Sequence, residues 1–115
     1  MVTQKTTNQV TFNEFTNLDL RVVKVIRAEP IPQKKRILKL TIQTGMGENR
    51  TIVAGGAQFY TPDYFIGKKI VALLNLAPKK IAGIMSHGML LAANVNNKPF
   101  WLVMNKNTPV GAKII

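Results

Sequence analysis

Glycine, proline and asparagine cut this chain into short apolar pieces, and that punctuation constrains its fold more than any other feature. No apolar run is longer than the five residues of Ile70–Leu74. A bilayer-spanning helix needs about 20 such residues, so no membrane segment is expected. The residues Leu20 to Ile26 are rich in β-branched side chains and read as a first strand, after which Pro30 and Pro32 are expected to interrupt pairing. Leu38, Leu40 and Ile42 alternate with Lys39, Thr41 and Gln43, the period of a half-buried strand. The turn residues Gly45 to Asn49 connect it to Arg50–Ala54 as a hairpin, which Gly55-Gly56 ends. Ile70–Leu74 reads as a strand buried on both faces, and Met89–Ala93 and Phe100–Val103 follow the turns at Gly88 and at Asn96 to Pro99. Five or six short strands with little helix between them predict an all-β chain folded as a small antiparallel barrel, not a parallel α/β sheet.

The helical signals are short. Thr11 with Glu14 three residues on makes a capping box, and Phe12, Phe15 and Leu18 would share one helix face that plugs an end of the core. Between Ala57 and Phe65 a helical turn around Pro62 is expected to pack its aromatics inward. Residues 1–9 read as a polar leader, 10–98 as the barrel and 99–115 as an extension. Met1 and the short leader favour an independent gene product, and the absence of an export signal favours the cytoplasm. With 46% hydrophobic and 18% charged residues over 115 positions, the composition is that of one globular domain and not of a disordered basic arm.

Sixteen Lys and Arg stand against five Asp and Glu, a formal charge of +11. The polyanion that such a surface meets inside a cell is nucleic acid. No cysteine is present, which excludes disulfides, thiolate catalysis and cysteine-based metal sites. The carboxylates Glu14, Asp19, Glu29, Glu48 and Asp63 are scattered and His87 is the lone imidazole, so no catalysis, cofactor or metal is expected. The cations cluster at Lys34-Lys35-Arg36, Lys68-Lys69 and Lys79-Lys80, with Arg21, Lys24, Arg27 and Lys39 on expected strands. In a five-stranded OB barrel the binding surface is the face of strands two and three with the loops joining strands one–two and four–five. Lys34 to Arg36 fall in the first loop and Asn75 to Met89 in the second.

From Phe15 onward the chain resembles the tRNA-binding domain found at the C-terminus of many methionyl-tRNA synthetases, in stand-alone dimeric tRNA-binding proteins and in endothelial monocyte-activating polypeptide. The resemblance rests on Phe15, on Leu18-Asp19-Leu20-Arg21-Val22, and on Ile52 to Ala57 with Tyr60, Pro62 and Gly67-Lys68. Above all it rests on the long irregular block from Asn75 to Ala93. It implies an OB-fold, a small Greek-key barrel with a short N-terminal helix and a C-terminal extension, that grips tRNA by shape and backbone. Asn75, Ser86 and Met89 look like the family's RNA-contacting positions, with Lys79 and Lys80 placed to meet phosphates; Arg21, Lys34, Lys35, Arg36 and Lys39 complete the expected footprint. Other roles stand beside these: Asn75 closing a turn, Ser86 capping backbone, Met89 opening an apolar strand. Two positions depart from the family pattern, Val23 where the first strand usually has glycine, and Ala54 where serine often precedes the glycine pair.

In the stand-alone relatives the segment after the barrel completes a subunit interface. The matching segment here is Pro99 to Ile115, so the resemblance implies a homodimer with Trp101, Val110, Ile114 and Ile115 at its interface. The function it implies is a non-catalytic tRNA-binding protein that assists an aminoacyl-tRNA synthetase, first of all the methionyl enzyme. CsaA-type export chaperones, which hold unfolded polypeptide, share the fold and part of the motif and supply the alternative; the Gly88-Met89 pair is the feature that separates this chain from them.

Overall fold

The computed structural model describes residues 8–115, so most of the expected 1–9 leader lies outside the described residues. The helix α1 (Phe12–Thr16) starts on the expected box: Glu14 N donates to Thr11 Oγ1 at 3.0 Å, and Thr11 N donates to Glu14 Oε1 at 2.8 Å. It plugs no end of the core. Phe12 is 79% exposed, and only Phe15 packs, onto Leu20, Val71 and Leu73.

The sheet is built on β1 (Leu20–Ile31), a strand long enough to serve two partners. Its first half, Leu20 to Lys24, pairs antiparallel with β4 (Lys69–Leu73), and from Lys24 onward it pairs with β2 (Lys34–Gln43). The expected interruption comes at Pro32 and not at Pro30. Pro30 pairs with Leu38 beside a register shift, where a missing N–H does no damage, and Pro32-Gln33 alone make the turn. Gln33 has φ +66°, the second central position of a type II turn after proline. The bend expected of a family glycine at position 23 is displaced: Val23 is fully buried, and the bulge falls between Val25 and Arg27.

The expected hairpin forms between β2 and β3 (Asn49–Gly55), with Leu38, Leu40 and Ile42 facing Ile52 and Ala54 across a shared core. The turn α2 (Pro62–Phe65) buries Phe65 against Trp101, with ring centroids 5.6 Å apart, while Tyr60 and Tyr64 are half-buried and Phe59 points outward. Burial, and then the neighbouring Tyr60, pushes the Tyr64 phenol above its ordinary value.

As expected, β4 is buried on both faces. Ile70, Ala72 and Leu74 enter the barrel core, whereas Val71 and Leu73 join Leu20 in a second cluster covered by Phe15, Leu91, Met104 and Ile114. The rest of the chain forms short strands: β5 (Lys79–Ile81), β6 (Ile84–Ser86), β7 (Met89–Leu90), β8 (Ala92–Val95) and β9 (Lys98–Trp101). Tight turns at Ala82-Gly83 and Asn96-Asn97, all four residues at positive φ, join β5 to β6 and β8 to β9. Strand β9 thus straddles the expected division between residues 98 and 99.

The main sheet runs β3-β2-β1-β4-β7, and two hydrogen bonds close it into a barrel. His87 N donates to Thr51 O at 2.8 Å, and Val53 N donates to Ser86 Oγ at 3.0 Å. Gly88 permits the closure: at φ +127° its Cβ would lie 2.9 Å from the Leu73 carbonyl oxygen. The C-terminal segment continues along the upper edge of β1, with Gly111 N donating to Val22 O, Val22 N to Ala112 O and Ile114 N to Leu20 O. Lys69 Nζ holds the same segment by donating to the Lys106 and Thr108 carbonyls at 2.7 Å.

The buried Ser86 hydroxyl, which also donates to Gly88 O at 3.2 Å, is therefore a structural linchpin. Ser86→Ala leaves the Val53 N–H without a partner, at an expected cost of about 1–3 kcal/mol. Thermal denaturation should show a melting midpoint several degrees lower; an unchanged midpoint would remove Ser86 from the closure.

Candidate nucleic-acid interface

Strand alternation sends Leu38, Leu40, Ile52 and Ala54 inward, so Lys39 and Val53 project from the outer face of β2 and β3. Registers then draw one line across the barrel. Lys39 pairs with Val53, Val53 N bonds Ser86 Oγ, and Ser86 pairs with Lys79. Two expected RNA-binding cations, distant in sequence, thus lie on a single transverse row, and Lys80 follows Lys79 on the exposed edge of β5.

Lys34, Lys35 and Arg36 are exposed as expected, but in β2 and not in a loop. Their backbone reaches the same region: Arg36 O accepts from Ala57 N at 3.2 Å, and Ile37 pairs with Gly55. None of these six cations enters an ion pair among the described residues, where both ion pairs belong to other arginines.

Arg21 is one of those others. Its Nε bonds Asp19 Oδ1 at 2.8 Å and its Nη1 donates to Gly111 O at 2.9 Å, so the guanidinium fastens the C-terminal segment to β1. Arg50 is similarly engaged by Glu48 and by the Leu74 carbonyl. Lys68 lies over the Tyr64 ring at 4.2 Å.

Of the three residues expected to touch RNA, Met89 is half-exposed and free to meet a ligand. Ser86 is spent on the closure. Asn75 is exposed, yet its amide already bridges two backbone groups, accepting from Asp19 N at 2.8 Å and donating to Asn17 O at 2.6 Å. It anchors the 75–78 loop that rims the site.

Beside the cationic row lies a groove that sequence reasoning missed. A cavity of about 370 Å³ is lined by Gly55, Leu76, Lys79, Met89 and Trp101 among others. A second of about 430 Å³ shares Gly55, Met89 and Trp101 with it and extends to Asn97 and Pro99. Neither has a carboxylate in its lining. Lys98 and the exposed Phe59 and Phe100 were missed as well, with the Lys98 ammonium 5.6 and 5.2 Å from the two ring centroids. The adjacency of an Asn-Asn turn, a lysine and an aromatic was the available signal.

The residues expected at a subunit interface separate. Trp101 packs on the barrel core and lines the groove, and its indole N–H is buried without a partner. Ile114 covers the second cluster, Val110 is half-buried beside Gly45, and Ile115 is fully exposed. Among the described residues no group of three or more His, Cys, Asp and Glu is placed to hold a metal, and no helix is long and apolar enough to cross a membrane.

Comparison with known proteins places this geometry. Residues 20–113 match the model of a putative tRNA binding domain. The methionine–tRNA ligase of Clostridium tetani is 40% identical over 108 residues, which cover 92% of this chain and 17% of that protein. That of Methanoculleus marisnigri is 50% identical over 84 residues, covering 73% and 12%. The chain therefore spans less than a fifth of these relatives' length. Among solved structures, the MetRS-related protein of Pyrococcus horikoshii superposes with a TM-score of 0.88 at 34% identity, covering 94% of this chain and 99% of that one. The chaperone CsaA of Bacillus anthracis superposes at 0.83 with 31% identity, covering 93% and 99%. With the barrel, the Asn75 to Ala93 block and the family match in agreement, the chain belongs to the tRNA-binding domain family.

Proposed function

We propose that the chain is a non-catalytic, structure-specific tRNA-binding protein that assists an aminoacyl-tRNA synthetase in the cytoplasm, most directly methionyl-tRNA synthetase. The observation that carries this reading is the transverse row from Lys39 to Lys79, extended by Lys80 and by Lys34 to Arg36, with no carboxylate paired to any of these cations among the described residues. Exposed cations left unneutralised are an electrostatic footprint for a phosphate backbone. Lysines and an arginine on strand edges meet phosphates without reading bases, which is recognition by shape. The relatives' names point the same way, since the regions matched belong to methionine–tRNA ligases.

In this reading the protein acts as a homodimer. Phe12, Leu102, Val103 and Ile115, close in sequence to the Phe15, Met104 and Ile114 that cover the second cluster, leave apolar surface exposed. An isologous contact of roughly 800 Å² per subunit would cover such a surface and double the sites per particle. Arg21, Val110 and Ile114 then contribute indirectly, by holding the extension in place.

A second reading, capture of unfolded polypeptide, is favoured by the half-exposed Met85 and Met89 and by the likeness to CsaA. Purification separates the two, because bound RNA moves the absorbance maximum to shorter wavelength than that of protein, and a bound polypeptide does not.

If about six phosphates are neutralised, the Kd for folded tRNA rises on the order of a thousandfold between roughly 50 and 200 mM salt. A Kd flat over that range, measured by gel shift, contradicts the proposal. The double variant Lys79→Glu with Lys80→Glu should weaken binding of all tRNAs alike and flatten the salt slope by about 0.9 for each phosphate that is no longer neutralised. A defect confined to one isoacceptor would instead mean base reading.

A further inference from the structure

The cationic row accounts for affinity but leaves the groove beside it without a role. That groove is open, apolar and contiguous over its two parts, with Met89, Leu90 and Trp101 in both linings. Part of its lining is almost bare, because Gly55 carries no side chain and Ala77 only a methyl. Bare backbone and a methyl together with a thioether and an indole leave room for a flat ring. Lys79 belongs to the lining, whereas Lys98 lies outside it, against the Phe59, Tyr60 and Phe100 rings. A lysine in the lining and no carboxylate favour an anionic chain carrying flat apolar groups, which describes single-stranded nucleic acid better than polypeptide.

We propose that this groove takes an unpaired nucleobase of the bound RNA, held against Met89 and Trp101, while a neighbouring phosphate rests on Lys79. The inference rests on the tRNA-binding reading and adds to it a requirement for an unstacked nucleotide, which a continuous duplex does not offer. Every base presents an aromatic face, so the slot is indifferent to sequence. The row along β2, β3 and β5 holds paired regions by their backbone; the groove takes a base that has left the stack.

Trp101 is the only tryptophan of the chain, so its fluorescence reports the groove without a label. A short oligouridylate or oligoadenylate should quench or shift that emission saturably, whereas a blunt RNA duplex with as many phosphates should bind with little spectral change. Filling the slot is the second arm. Gly55 lies outside the left-handed region, and a Cβ there meets only the Arg36 carbonyl oxygen, 4.0 Å away, so Gly55→Leu should fold normally and occupy the slot. Its affinity for the oligonucleotide should fall at least about tenfold, the worth of one base stack. Met89→Ala, which shortens a half-exposed side chain, serves the same test if Gly55→Leu melts early.

Binding of labelled tRNA, followed by anisotropy, keeps the two ideas apart. If tRNA binds while the single strand leaves Trp101 unchanged, or the duplex changes it equally, the groove proposal falls and the tRNA reading stands. If an unstructured apolar peptide produces the change and the oligonucleotide does not, the groove is a polypeptide site and the proposal falls. If labelled tRNA fails to bind, both fall.

Discussion

The closure of the barrel between β3 and the segment around Ser86 is the constraint on which the site depends. A sheet ordered β3-β2-β1-β4-β7 has two free edges, and here they meet through a side-chain oxygen and one backbone hydrogen bond instead of a full ladder. That economy has a steric condition. The chain must turn sharply at Gly88, where any side chain would strike the Leu73 carbonyl. Closing the sheet in this way aligns Lys39 with Lys79, so the mechanism that completes the core also assembles the face proposed to meet RNA.

Among the described residues two groups of cations stand apart by what they touch. Arg21, Arg50 and Lys69 spend their hydrogen bonds on carbonyls and carboxylates that lock the 105–114 segment and the 74–75 corner. Buried or partly buried charges with such partners are part of the architecture. Lys34, Lys35, Arg36, Lys79 and Lys80 are exposed and unpaired among the described residues, which keeps them available to polyanions. The unpaired cations are thus the ones proposed to meet RNA, although they are spread along the sequence.

Much of the core was legible because its signals are local. The alternation of Leu38, Leu40 and Ile42, the continuous run Ile70–Leu74 and the Thr11–Glu14 box each declare an element within a few residues. The misread parts depend on distant partners. Lys34-Lys35-Arg36 has the composition of a solvated loop, yet Lys34 pairs with Ile31 across a two-residue turn and β2 runs on through the register shift to Leu38. Arg21 reads as a free cation until Gly111, 90 residues away, is seen to accept its hydrogen bond. Trp101 lies in an apolar terminal stretch that suggests a subunit contact, yet Phe65 and Tyr60 draw it against the barrel, where it lines the groove. The pairing of segments far apart in sequence, invisible in composition, created both the row and the groove.

Hydrogen–deuterium exchange of the full chain with and without saturating folded tRNA tests the central claim most directly, because it maps the bound face without altering it. The account predicts slowed exchange in β2 and β3 from Lys34 to Gly55 and in the Asn75 to Met89 segment, with α1 and residues 105–115 unchanged. Protection confined to α1 and the C-terminal segment, with Lys34–Gly55 and Asn75–Met89 unaffected, would contradict it.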